Sequence, residues 1–274
     1  MVGRNKRASL NYIKERVWNK LQGWKEQLLS QVGREVLLKA MVQAIPTFAM
    51  SCFRLPISLF HEIEMSIRKF WWGQQGEQRK IHWKSWEVLC QPKSLGGLGF
   101  KDLQKFNEAI LAKHVWRLLS DQSSLFYHVI KEKYFSQGSI LDATASSGSY
   151  AWKSILAQSV VSDGLLWRVG DSLSIRVYRD NWIPGVFPTK AVLPRAGFSK
   201  DLRVAELINP DTGWWDIQKI EQMFLPFEVQ KIKEVPLCVT RQEDCLIWPR
   251  SRDSKYSGKT IKNLYSRYLN SVVA

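Results

Sequence analysis

The sequence predicts a mainly α-helical protein with a small α+β part toward its C-terminal end. Three observations lead there. Apolar residues recur at three- and four-residue steps through the first half of the chain, and Gly and Pro cut that pattern into helix-sized pieces. Beyond residue 150, short strand-like runs replace it.

Leu10, Ile13, Val17, Leu21, Trp24 and Leu28 share one face of a helix over roughly 9–30. Gly33 is expected to break it. Val36, Leu37, Ala40 and Ala44 then open a second helix that meets Pro46, whose ring and missing N–H predict a kink near Ile45. Leu55-Pro56 ends this piece, and a third helix, capped by Ser58, runs through Ile63, Ile67 and Phe70 to Gly73. A polar turn at 74–78 leads into a Trp83/Trp86 segment and then Gly96-Gly97-Leu98-Gly99-Phe100. Asp102 caps the next helix, which carries Phe106, Ile110, Leu111, Val115 and Leu118, and a shorter helix covers Leu125–Tyr134.

Small polar residues at 136–149 mark the best boundary. After it, Trp152–Val161 reads as helix, and Leu165–Val169 with Ser174–Tyr178 as a β-hairpin turning at Gly170-Asp171-Ser172. Short helices are expected at 202–208, 214–224 and 227–234, a strand at Leu246-Ile247-Trp248, and a last helix over Thr260–Leu269. Three parts result: a helical bundle (1–75), a basic Trp-rich connector with its helices (76–135), and an α+β segment (150–274).

Composition bounds the function. At 274 residues, 45% hydrophobic and 24% charged, the chain is globular in kind. It has no apolar run of spanning length, and its charged N-terminus lacks a signal-peptide core. An intracellular place, nuclear or cytoplasmic, is expected, with no membrane partner and no secretion. Cys52, Cys90, Cys238 and Cys245 lie far apart, which suits a reducing compartment. The net charge of +15 is uneven: 22 Lys/Arg face 11 Asp/Glu in residues 1–134, against 18 and 14 in 135–274. Concentrated positive charge favours a polyanion, and nucleic acid is the usual one, because phosphate neutralisation releases condensed counterions.

No catalytic signature accompanies that charge. Two-metal chemistry needs clustered carboxylates, yet the sequence has no Asp-Asp pair, and Glu243-Asp244 is its one adjacent acidic pair. Cys238 and Cys245 have no histidine after them to complete a zinc site, and His61, His82, His114 and His128 form no HExxH. Gly96-Gly97-Leu98-Gly99 has neither P-loop nor dinucleotide-fold spacing; a bend with positive φ that lets the chain approach a neighbour closely fits it better. No catalytic or metal residue is nominated, and no small-molecule substrate is expected. What remains is a basic, aromatic constellation: Arg68, Lys69, Trp71, Trp72, Arg79, Lys80, His82, Trp83, Lys84 and Trp86. Cations can meet phosphates while exposed rings stack on bases.

Five ordered blocks carry a resemblance: 21–56 (LQGWKEQLLSQVGREVLLKAMVQAIPTFAMSCFRLP), FWWG at 70–73, RKIHWKSWEVLCQPKSLGGLGF at 79–100, FNEAILAKHVWRLL at 106–119 and WRVGDSLSIRVYRDNWIPG at 167–185. Together they closely resemble plant LINE-type non-LTR retrotransposon polyproteins, in the part between the reverse-transcriptase palm and the zinc-binding region. The resemblance implies a thumb-like bundle that grips a template–primer duplex, a post-thumb connector, and a segment leading into the zinc-binding region. It implies a parent RNA-directed DNA polymerase that copies element RNA at a nicked chromosomal target. Arg34, Lys39, Arg68 and Lys69 fall in the thumb-like part as backbone contacts, with Arg79, Lys80, Trp83 and Lys84 beside them.

Departures matter as much. The palm with its Asp-Asp carboxylates is not in these residues, nor are the Cys/His zinc ligands, so Mg and Zn would belong to missing parts and no cofactor is expected here. The chain is therefore expected to be inert alone, with weak, salt-sensitive binding of RNA or DNA; a domesticated interaction module without a nucleic-acid role is the alternative. Ser172 and Ser254 each stand where the family commonly has glycine, and Gly258-Lys259-Thr260 replaces its usual continuation.

Overall fold

The computed structural model describes residues 6–25, 29–73, 80–136, 138–143, 148–156, 164–185, 189–192, 199, 201–237, 242–249 and 251–256. The polar turn at 74–78, Arg79, Cys238, Gly258-Lys259-Thr260 and the last helix over Thr260–Leu269 lie outside them. The described residues within Met1–His114 and Ala143–Gln158 form one compact unit, and those within Val115–Asp142 and Ser159–Thr260 a second. Among the described residues the fold is mainly α-helical with one small two-stranded antiparallel sheet, the fold class the sequence predicts.

In the first unit α1 (Lys6–Lys25) and α2 (Gln31–Ala40) pack on α4 (Ile57–Trp71). Leu10, Ile13, Val17 and Leu21 are buried, so the apolar face read from the sequence is the one the bundle covers. Ser30 accepts a hydrogen bond from the Gly33 N–H and caps α2, so Gly33 lies inside that helix instead of breaking the chain before it. At Pro46 the helical path is interrupted as expected: a 3-10 turn (Val42–Ala44) precedes the short α3 (Thr47–Cys52). Ser58 is not a cap; α4 starts at Ile57 with Pro56 before it and no side-chain cap bond. Gly73, at φ 66°, follows its C-terminal end.

The glycine cluster behaves as a bend. The short α5 (Trp86–Cys90) is capped by Ser85, and Gly96 (φ 78°) ends a 3-10 turn over Lys93–Leu95. The chain then folds back: Leu98 and Phe100 donate to the Leu89 carbonyl, and Gly99 to that of Gln91. A Cβ on Gly97 would lie 2.1 Å from the Gln91 oxygen, so only glycine permits this return. It delivers Phe100 into the core, stacked on Trp86 at 5.6 Å and edge-on to Trp71 at 5.8 Å. Asp102 accepts from the Lys105 N–H and caps α6 (Leu103–Ser120). From α6, Asn107 reaches back: its amide donates to the Met50 and Phe53 carbonyls, and its oxygen accepts from the Leu55 N–H. His114 bonds the Ser51 carbonyl at 2.9 Å, a packing role. From α8 (Tyr150–Leu156), Tyr150 stacks on Phe53 at 5.5 Å and donates to the Arg54 carbonyl.

The second unit holds α7 (Leu125–Tyr134), β1 (Leu166–Arg168), α9 (Ile217–Met223), α10 (Pro226–Lys233) and β2 (Cys245–Ile247). Its core gathers Ile175, Val177, Trp182, Val204, Leu207, Ile220 and Ile232. The hairpin partner differs from expectation. β1 pairs with β2, Trp167 opposite Leu246, and not with 174–178. Asp244 explains the change: its carboxylate accepts from the N–H groups of Gly170, Ser172 and Ser174 and ties the turn to the chain entering β2. Gly170 has no room for a Cβ, which would lie 2.2 Å from the Gln242 oxygen. Residues 175–177 instead exchange backbone bonds with 202–204. Asp244 is thus a structural acceptor, and Arg176 and Asp180, four positions apart, are joined by two side-chain hydrogen bonds.

Candidate nucleic-acid interface

The basic constellation lies in the first unit, around the C-terminal end of α4. That helix places Arg68 and Lys69 in its last turn, where cations are favoured by the helix dipole. Arg34, in the first turns of α2, reaches the same place: its guanidinium would lie 2.8 Å from a Cβ on Gly73. His82 stacks on Trp72 with ring centres 6.2 Å apart. Its imidazole is held below the ordinary range, first by burial and then by the positive charge of Arg68 and Lys69. Among the described residues, no carboxylate lies within ion-pair distance of Arg34, Arg68, Lys69 or Lys80.

Lys39 is different. Its ammonium bonds Glu35 at 2.7 Å and sits 5.7 Å from the Phe100 ring, and Lys93 shares the same carboxylate at 2.9 Å. Those two lysines hold the Glu35 carboxyl below its ordinary range. Lys39 is therefore engaged within the protein, whereas Arg34, Arg68, Lys69 and Lys80 are in no ion pair among the described residues. Lys84 is exposed and donates to the Gly96 carbonyl at 2.8 Å, fixing the 80–85 segment against the glycine bend. Arg79 lies outside the described residues.

The tryptophans divide sharply. Trp71 and Trp86 are buried and Trp72 is half-buried against His82, so the core reading holds for these rings. Trp83 is 76% exposed. Sequence reasoning could not distinguish them, because burial here is set by the return of the chain at Gly97.

One titratable group had no signal in the sequence. Glu64, on α4, is pushed up to about 7, first by burial and then by the nearby Asp102 charge. The Trp86 indole and the Leu103 backbone N–H oppose that shift, and Glu87 adds to it. His61 lies 3.9 Å away but is largely exposed. Glu64 looks like any lone helical carboxylate until α5 and α6 are folded onto α4. Among the described residues, no three His, Cys, Asp or Glu side chains come together to hold a metal ion, and no helix is long and apolar enough to cross a membrane.

The fold and this surface define a mainly helical chain with one basic, aromatic face. Comparison with known proteins adds its relatives. No protein-family model matches the chain. It is 34% identical over 253 residues, 89% of its length, to an Arabidopsis thaliana protein named "Putative ribonuclease H protein", and spans about two fifths (40%) of that protein. It is 38% identical over 143 residues, 51% of its length, to an uncharacterized mitochondrial protein of Arabidopsis thaliana, covering 93% of that protein. The chain belongs to the family of this mitochondrial protein and is homologous to the longer one.

Proposed function

We propose that these residues are the thumb-to-connector segment of a LINE-type non-LTR retrotransposon reverse transcriptase. Alone they would act as a non-catalytic unit that holds RNA or DNA weakly through a basic surface. On this reading 1–75 is the thumb-like bundle, 76–135 the connector, and 150–274 the segment leading to a zinc-binding region. The single observation that carries it is that Arg34, Arg68, Lys69 and Lys80 have no carboxylate within ion-pair distance among the described residues, with Arg34, Arg68 and Lys69 gathered at the C-terminal end of α4. Lys84 and Trp83 extend this surface. The ribonuclease H name of the longer homologue supports a nucleic-acid context for it.

Binding by phosphate contacts must weaken as salt rises. A salt titration with the purified chain and a labelled RNA is expected to give a straight, falling plot of log affinity against log salt. With Mg²⁺, a primed template and nucleotides, the same chain is expected to extend no primer; measurable incorporation would refute the non-catalytic part. A second reading, a domesticated interaction module, draws on Val32, Val36 and Phe48, which stand exposed on the same unit. Absence of RNA and DNA binding at low salt would favour it.

A further inference from the structure

We infer that Trp83 is a stacking platform for an unpaired base, so that the surface prefers single-stranded nucleic acid to duplex. The inference deepens the nucleic-acid reading and rests on it. In the 80–85 segment, His82 turns inward onto Trp72 while its neighbours Ile81 and Trp83 point outward, 68% and 76% exposed. The Trp83 ring is the exposed indole of the constellation; Trp71, Trp72 and Trp86 are committed to the protein interior or to His82.

Two anchors hold the backbone that follows that ring. The Lys84 ammonium bonds the Gly96 carbonyl, and the Ser85 hydroxyl accepts from the Val88 N–H to start α5. An exposed tryptophan on a fixed segment loses little freedom when it stacks. Lys80 and Lys84, both exposed, flank it in sequence, so a strand whose base lies on the ring runs beside cations that its phosphates can meet. A protein partner with an apolar patch would have to dehydrate those ammonium groups, whereas a nucleotide presents a π face and a phosphate together. A duplex keeps its base faces inside the stack; only an unpaired nucleotide offers one.

The test uses the full chain and fluorescence anisotropy of labelled oligouridylate and of a labelled duplex of equal length. The variants are W83A and W83F. The melting midpoint is expected to be unchanged, since the side chain is exposed. W83A is expected to weaken single-strand binding roughly tenfold, as loss of one base–aromatic stack does. W83F is expected to retain most of the affinity, and duplex binding and the salt slope are expected to stay put. Unchanged oligouridylate affinity in W83A overturns the inference, as does an equal loss on duplex. If the wild-type chain has no salt-sensitive binding at all, the nucleic-acid reading fails and takes this inference with it.

Discussion

Ser172 and Ser254 are the described non-glycine residues with left-handed backbone, at φ 63° and 56°. Both stand where the family that the sequence resembles commonly has glycine, and the backbone gives the reason. At Ser172 the N–H must point into the Asp244 carboxylate at 3.0 Å; at Ser254 the carbonyl must accept from the Trp248 N–H at 2.8 Å. An L side chain in this region costs about 1–2 kcal/mol, part of which glycine returns through its greater freedom in the unfolded chain. Ser172 also buries a hydroxyl that has no hydrogen-bond partner among the described residues. Ser172→Gly and Ser254→Gly are each expected to raise stability by about 0.5–1 kcal/mol in urea denaturation, Ser172→Gly the more. A fall in midpoint for both variants would mean that the strain argument is wrong.

At the scale of elements, Glu64 couples α4 to the starts of α5 and α6. Its carboxyl titrates near 7 in the folded protein against an ordinary 4.5, so the native state holds the proton more tightly than the unfolded chain. Stability is then full below about pH 4.5 and falls as pH rises through 7. After allowance for solvent screening, the loss is on the order of 2 kcal/mol. Glu64→Gln keeps the shape without the charge. Urea midpoints from pH 5 to 8 are expected to fall for the wild type and to flatten in this variant; parallel curves would remove Glu64 from the account. Asn107, 1% exposed, joins α6 to the end of α3, and Asn107→Ala strands two carbonyls and one N–H. A loss of about 3 kcal/mol is expected in the same assay, and a loss below 1 kcal/mol would contradict the clamp.

These two residues also mark what the sequence could convey. The helices were legible because Leu10, Ile13, Val17 and Leu21, or Ile63, Ile67 and Phe70, repeat at helical period and are buried together. The glycine bend was legible because 96–99 has no phosphate-loop spacing and sits between a Trp-rich segment and a helix capped by Asp102; the short α5 before it was not read from the sequence. The partner of β1 was not legible: it is chosen by Asp244, some seventy positions beyond the turn that it binds. Within the site, residue type announced the cations. It did not announce that Glu35 neutralises Lys39, that His82 folds onto Trp72, or that Trp83 alone among four nearby tryptophans remains largely exposed.

For the whole molecule, the issue is where its positive charge stays unbalanced. Each unit pairs part of its charge internally: Lys14 with Glu62 and Lys39 with Glu35 in the first, Arg176 with Asp180, Arg179 with Asp201 and Lys233 with Glu221 in the second. The first also keeps Arg34, Arg68, Lys69 and Lys80 outside any ion pair among the described residues, and Arg34, Arg68 and Lys69 gather at the C-terminal end of α4. The most direct measurement is therefore the salt slope of RNA binding in two variants of equal net charge. One carries Arg34→Gln, Arg68→Gln and Lys69→Gln; the other carries Lys113→Gln, Lys133→Gln and Lys233→Gln. The first is expected to lower the slope by about two, at about 0.7 per single-strand phosphate contact, while the second leaves it near the wild-type value. Equal slopes in the two variants would contradict the account, because binding would then follow net charge and not this surface.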